Sequence, residues 1–218
     1  HVGMVTINGE KMSKSLGNTK TVDYVLQKWG PNIIRLFCLS GHYSKPVDYS
    51  EDMLKETVTK WRQVENAYAE ITNPENDNMV LQHPNLENFI KQKIENHLNR
   101  FNNSLNSDFN TSLALNSFYV IVDEINNLAS SEYITKSIAE YLLPILKKML
   151  NILGLKIDEL SKDENESIKK LVDERKRLRD VKDYQGADKI RNQLSNQGII
   201  LIDHKKRTIW LKQEKIGA

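Results

Sequence analysis

The stretch that decides the reading runs from Glu10 to Asn18: EKMSKSLGN. Two lysines, Lys11 and Lys14, stand three residues apart among small hydroxyl side chains, and Leu-Gly-Asn closes the run. A Lys-x-x-Lys pair taken alone is an ordinary solvated turn, but the flanks here are informative. VGMVTIN (Val2–Asn8) alternates and is rich in β-branched residues, so it reads as a short strand running into the lysine loop. Thr21 is placed to cap a helix through Lys28. A lysine loop between strand and helix suits a bound nucleoside triphosphate. When the α-phosphate is attacked, charge builds on the departing pyrophosphate. A mobile ammonium stabilises that charge more in the transition state than in the ground state. Lys14 and Lys11 are the candidate cations, and Ser13 and Ser15 can donate hydroxyl hydrogen bonds to ATP phosphates. Gly17 lets the backbone turn sharply before the helix.

Further along, the chain reads as mainly α. Gly30-Pro31 breaks the first helix, and a second is predicted over Asn32–Leu39. Its apolar residues Ile33, Ile34, Leu36, Phe37 and Leu39 cover most of its surface, which predicts deep burial. His42–Ser50 reads as a loop, since Pro46 prevents ordinary helix. Ser50 caps a helix to about Thr72, and Asn73–Asn85 reads as a polar linker. Apolar residues at three- and four-residue steps predict helices over Leu86–Leu105, Thr111–Leu128 and Ile134–Leu153. Gly154 is the stop, and Pro144 is expected to kink the last helix or break it in two. Four antiparallel helices with short connections make a bundle. Lys156–Glu166 reads as a hinge. A charged helix over Ser167–Asn196 and two short strands, GIILID and RTIWLK, turning at His204–Lys206, complete a small α+β module. The expected domains are 1–50, 51–160 and 161–218.

The net charge of the 218 residues is +2, which says little, but its distribution is uneven. Residues 1–50 hold six bases against three acids, residues 51–160 ten against sixteen, and residues 161–218 fifteen against ten. Two basic ends around an acidic middle suit a long polyanion touched at both ends, and they equally suit a solvated Lys/Glu surface. The one cysteine, Cys38, excludes a disulfide within the chain and favours a reducing compartment; in the run IIRLFCLS it reads as a small core residue. No apolar run approaches membrane-spanning length, and no metal-ligand spacing occurs. The chain starts at His1, which reads as a fragment or a processed form.

KMSKS followed by LGN resembles the second signature of class I aminoacyl-tRNA synthetases. By that resemblance Lys14 binds ATP and Lys11 assists. The flanks, HVGMVTINGEKMSKSLGN and IIRLFCLSGHYSKPVDYS, are similar to cysteinyl-tRNA synthetases. That family has a His-x-Gly before the strand, an Arg in the post-loop helix (here Arg35) and a Ser-Gly-His-Tyr-Arg block (here Ser40–Ser44). Ser44 departs from the usual Arg, and Lys45 is the candidate to supply the charge. SDFNTSLAL (Ser107–Leu115) resembles the Asp-Asp-Phe-Asn-Thr block that opens a bundle helix; read alone, Asp108, Asn110 and Thr111 are good capping residues. The tail, RLRDVKDYQGADKIRNQLSNQGIILID and then TIW, resembles the family's anticodon-binding module. Arg179, Tyr184, Asp188, Arg191, Asp203 and Trp210 occupy matching positions, while Arg207 stands where the family usually has Gly. Unpaired bases are read by stacking on aromatics and by charged groups at their edges. Tyr184 can stack, Arg179 and Arg191 can donate, and Asp188 and Asp203 can accept. Asp188 and Arg191 also fit an i,i+3 ion pair, and Trp210 fits a core position.

The resemblance implies ATP-dependent ligation of cysteine to tRNA(Cys) through cysteinyl-adenylate, in a cytoplasmic monomer without a membrane partner. It implies Zn2+ only in the full-length enzyme. The family's His-Ile-Gly-His motif and zinc ligands are absent from this chain, which is expected not to activate cysteine alone. Two alternatives stay open: a cysteine ligase of mycothiol synthesis, which shares the lysine loop but uses no tRNA, and a non-catalytic tRNA-binding or interaction module.

Overall fold

The computed structural model describes residues 2–74, 85–205, 207–214 and 216. His1, most of the expected linker (residues 75–84) and Lys206 of the expected turn lie outside the described residues. The architecture is mainly α, with eight helices and two small sheets among the described residues. It divides into two compact units, the first running to Lys156 and the second starting at Ile157.

The first unit opens with β1 (Val5–Ile7), the turn Asn8-Gly9 and β2 (Glu10–Lys11). Asn8 and Gly9 both have positive φ (53° and 79°), the conformation that lets a two-residue turn match strand twist. β2 therefore pairs antiparallel with β1, Thr6 opposite Lys11. The loop expected at His42–Ser50 contains β3 (Val47–Tyr49), which pairs parallel with β1, Val5 opposite Val47. Pro46 does not prevent this, because it stands just before the strand and costs no ladder donor.

Between β1 and β3 lie α1 (Val22–Trp29) and α2 (Pro31–Ser40). Thr21 caps α1, its hydroxyl accepting from the Tyr24 N–H at 3.2 Å. Pro31 opens α2, where its missing N–H costs nothing. In α2 the deep burial is confined to one face, Ile33, Leu36 and Phe37; Ile34 and Leu39 are half-buried. Cys38 is exposed, not core, because it falls on the opposite side of the turn from Ile33 and Leu36.

Helices α3 (Glu51–Thr72), α4 (Leu86–Asn106), α5 (Thr111–Ser130) and α6 (Lys136–Leu153) form the helical core. α5 packs on α3 and α4, α3 also packs on α6, and α2 joins through α3 and α5. Trp61, Phe101, Phe118, Ile33, Leu54 and Leu142 are at most 1% exposed, so α2 shares one core with the bundle. Pro144 lies within a single continuous α6 rather than dividing it. The carboxamide of Asn32, buried at the start of α2, donates to the Lys156 carbonyl (2.8 Å) and accepts from the Lys156 N–H (2.9 Å). One turn on, Arg35 Nε donates to the Leu153 carbonyl at the end of α6. All three bonds tie the helix after the lysine loop to the end of the bundle.

The second unit holds α7 (Lys162–Asp180), α8 (Tyr184–Asn196) and an antiparallel hairpin of β4 (Ile199–Asp203) and β5 (Thr208–Lys212). The single helix expected over Ser167–Asn196 is two. Lys182 takes a left-handed conformation (φ 64°), and the Asp183 carboxylate caps α8 by accepting from the Gly186 N–H at 2.9 Å. Half of the expected hinge is helix, because Ser161 and Glu164 form a complete capping box at the start of α7. Ile168, Val172, Leu194, Ile199 and Leu201 make the core of this unit.

Asn32→Ala removes the part-buried hydrogen bonds to both backbone groups of Lys156. Each such bond contributes about 0.5–1.5 kcal/mol. Urea denaturation of the variant is expected to show a lower midpoint with an unchanged slope.

Candidate functional site

The lysine loop continues from β2. Residues Lys14–Leu16 form one 3-10 turn capped by Ser13, whose hydroxyl accepts from the Leu16 N–H at 3.4 Å. Gly17 closes it with φ 64° and open space around it, so the position needs glycine for its backbone angle and not for room. Asn18 clasps the loop: its Oδ1 accepts from the Ser13 N–H (2.8 Å) and its Nδ2 donates to the Lys11 carbonyl (3.2 Å). The Ser13 and Ser15 hydroxyls share a hydrogen bond of 3.1 Å. Lys11 and Lys14 are exposed, and neither ammonium has an ion-pair partner among the described residues. The structure thus gathers Lys11, Ser13, Lys14 and Ser15 on one solvent-facing turn.

Asp48 of β3, not singled out from sequence, anchors the Asn8-Gly9 turn that leads into β2. One of its oxygens accepts from the Thr6 hydroxyl (2.6 Å) and from the Gly9 N–H (2.9 Å). Those two donors, the hydroxyl foremost, hold its carboxyl below the ordinary value. Gly3 lies against the same segment, where an added Cβ would sit 1.8 Å from the Lys45 carbonyl oxygen.

The Ser40–Ser44 and Ser107–Leu115 blocks, far apart in the chain, meet in space. The Tyr43 hydroxyl donates to Asp108 Oδ1 at 2.8 Å, and this bond holds the phenol above its ordinary pKa. His42 stacks on Tyr43, with ring centroids 4.6 Å apart. Thr111 donates to the Gly41 carbonyl at 3.3 Å. Of the three expected caps only Asn110 caps α5, accepting from the Leu113 N–H; Asp108 and Thr111 join the two blocks instead. Ser44, where the family usually has Arg, bonds the His42 ring at 2.8 Å, and Lys45 is exposed beside it.

In the second unit the candidate RNA-facing residues fall on α7, α8 and the end of β4. Tyr184, Asp188 and Arg191 stand at i, i+4 and i+7 of α8, one helical stripe, and all three are exposed. The i,i+3 ion pair between Asp188 and Arg191 does not form. Trp210 packs on the unit's core, and its indole donates to Asn165 Oδ1 at 3.0 Å. Asp203 is the centre of a charged cluster. Arg175 donates to both of its oxygens at 2.8 Å, Thr208 donates at 2.8 Å and Arg179 at 3.4 Å. The Arg175 guanidinium, above all, pushes the Asp203 carboxyl down to about 2. Arg175 was missed by sequence reading, and it is the one buried member of the cluster. Among the described residues no group of three or more His, Cys, Asp or Glu could hold a metal ion, and no helix is long and apolar enough to cross a membrane.

Comparison with known proteins fits this geometry. Residues 1–59 match the tRNA synthetases class I (C) catalytic domain, and residues 100–158 match the DALR domain. The agnB2 LeuRS of Agrobacterium radiobacter K84, solved in a ternary complex with tRNA and LeuAMS, shares the fold of 69% of this chain at a TM-score of 0.53 and 16% identity, over 20% of its own length. The chain is a relative of the class I synthetases. Over most of its length it is similar to cysteine–tRNA ligases. It is 34% identical to the "Cysteine--tRNA ligase" of Bacillus cereus (strain B4264) over 96% of this chain and 44% of the relative. It is 31% identical to that of Acinetobacter baylyi over 98% of this chain and 45% of the relative. It spans a little under half the length of the curated relatives it matches.

The Asp203 cluster has a measurable pH signature. With its folded pKa near 2 and an ordinary value of 3.8, Asp203 binds a proton less readily when folded. Its contribution to stability is therefore complete above about pH 4 and is lost as pH falls toward and through about 2. Acid titration followed at the amide resonances of β4 and β5 is expected to show loosening in that window, and Asp203→Asn is expected to flatten the slope.

Proposed function

We propose that this chain forms the ATP-closing and tRNA-reading part of a cysteine–tRNA ligase. An exposed lysine pair, free of ion-pair partners and held on a shaped turn, carries the reading. It stands in a chain related to such ligases over 96% of its length. In the first step the cysteine carboxylate attacks the ATP α-phosphorus, cysteinyl-adenylate forms and pyrophosphate leaves. Lys14 neutralises the charge gathering on pyrophosphate, and Lys11 assists from the end of β2. Ser13 and Ser15 exchange their mutual hydrogen bond for bonds to phosphate oxygens. In the second step a terminal tRNA hydroxyl takes the cysteinyl group and AMP departs. The bundle lies along the inner side of the tRNA, and residues 161–218 read the anticodon. The working division is 1–50, 51–160 and 161–218, in a monomer acting in the cytoplasm on cysteine, ATP and tRNA(Cys). Among the described residues no group could hold the family's zinc, and no step here runs through it.

The conformation of the second unit supports RNA contact. Tyr184 is 60% exposed, a free aromatic face on which a base can stack, an interaction worth ~1–3 kcal/mol. Arg179 and Arg191 are exposed donors in the same unit.

In the intact protein, Lys14→Ala is expected to slow cysteine-dependent ATP–pyrophosphate exchange by ~10²–10³, the usual cost of one well-placed charge donor. An undiminished rate overturns the catalytic assignment. Filter binding is expected to retain tRNA with a GCA anticodon over other isoacceptors, with affinity falling steeply as salt rises. Equal retention of all tRNAs rejects the anticodon-reading role.

A further inference from the structure

We infer that Arg175 is a positioning residue: through Asp203 it holds the exposed Arg179 guanidinium where an unpaired nucleobase can meet it. The inference rests on the reading of residues 161–218 as RNA-binding, and it assigns work to a side chain that touches no RNA. Arg175 lies under the hairpin with its side chain 6% exposed, whereas the Arg179 side chain is 49% exposed and Asp203 stands between them at 34%.

The bonding around Asp203 is complete. A carboxylate offers about four acceptor sites. Oδ1 accepts from Arg175 Nη1 and the Thr208 hydroxyl, both at 2.8 Å. Oδ2 accepts from Arg175 Nη2 at 2.8 Å and Arg179 Nη1 at 3.4 Å. A base amino group therefore finds no open site on Asp203 unless a present donor leaves. The group with open valence is Arg179, which uses one of its five N–H donors and keeps the others for solvent or a ligand.

The burial of Arg175 points the same way. Desolvation of the Arg175 side chain offsets part of the attraction it gains from Asp203. Its Nε is buried without a partner, a further cost. What the pair does well is fix a charge in space. The two-bond fork sets the carboxylate plane, and that plane sets where Arg179 is held. An unrestrained arginine side chain has rotamer entropy to lose on binding. Part of that loss occurs during folding here, before any RNA arrives.

The test is a double-mutant cycle in the full-length protein, reading affinity for tRNA with a GCA anticodon and for one with an altered anticodon. Arg179→Ala and Arg175→Met are each expected to weaken binding of the first by about tenfold, and binding of the second by much less. The double variant is expected to bind no more weakly than Arg175→Met alone, because the second change removes a group already released. A merely structural Arg175 would weaken both tRNAs alike, and its loss would multiply with that of Arg179. Either result overturns the inference while leaving the RNA reading intact. If the unmodified protein does not distinguish the two tRNAs, the RNA reading itself falls and the inference with it. Asp203→Asn keeps the side-chain shape and removes the charge. Should Arg175→Met fail to fold, Asp203→Asn with and without Arg179→Ala carries the same comparison.

Discussion

The buried Asn32 carboxamide joins two points 124 residues apart, and the first unit is organised around it. It answers both backbone groups of Lys156, just past the end of α6, and Arg35 answers the Leu153 carbonyl one turn away. The Leu153 carbonyl is one of the orphan groups that every helix end leaves over. Here it is satisfied by the helix that follows the lysine loop. The consequence is mechanical. α2 cannot shift without unpairing buried groups, so the β1–β2 hairpin and the turn of Lys11 and Lys14 stand on a base fixed by the bundle. Asp48 repeats the logic at shorter range by holding Thr6 and Gly9 together.

The second unit solves a different problem with different forces. It is small, and its apolar core is correspondingly modest. An ion cluster linking α7 to the turn of the hairpin joins its elements as well. The cluster is graded from inside to outside: a buried arginine, a half-accessible aspartate and an exposed arginine. That gradient separates the residue that sets geometry from the residue that faces solvent.

Much of this was legible because it is local. Thr21, Ser50 and Asn110 announce helix starts by hydroxyl or carboxamide chemistry, and the structure uses all three as caps. The lysine turn was legible as an intact motif between a strand and a helix. What was not legible depends on distant partners. β3 is three residues long and exists through pairing with Val5–Ile7, more than forty positions away. The break between α7 and α8 carries no Gly or Pro, since Lys182 adopts the left-handed conformation itself; the usable sign was Asp183 ahead of Gly186. Ser161 and Glu164 spell a capping box that marks the true start of α7. Arg175 is one of several bases in the run RKRLR, and only the placement of Asp203 on the hairpin singles it out. Cys38 misled because an apolar neighbourhood in sequence is not one face of a helix.

The clasp made by Asn18 is electrically neutral: an amide oxygen taking one N–H and an amide nitrogen giving to one carbonyl. Neither half titrates, and neither is weakened by dissolved ions as an exposed charge pair is. The two ends of the chain therefore answer to different solution variables. The Asn18 clasp is indifferent to acidity and ionic strength, while the arginine–aspartate cluster registers both.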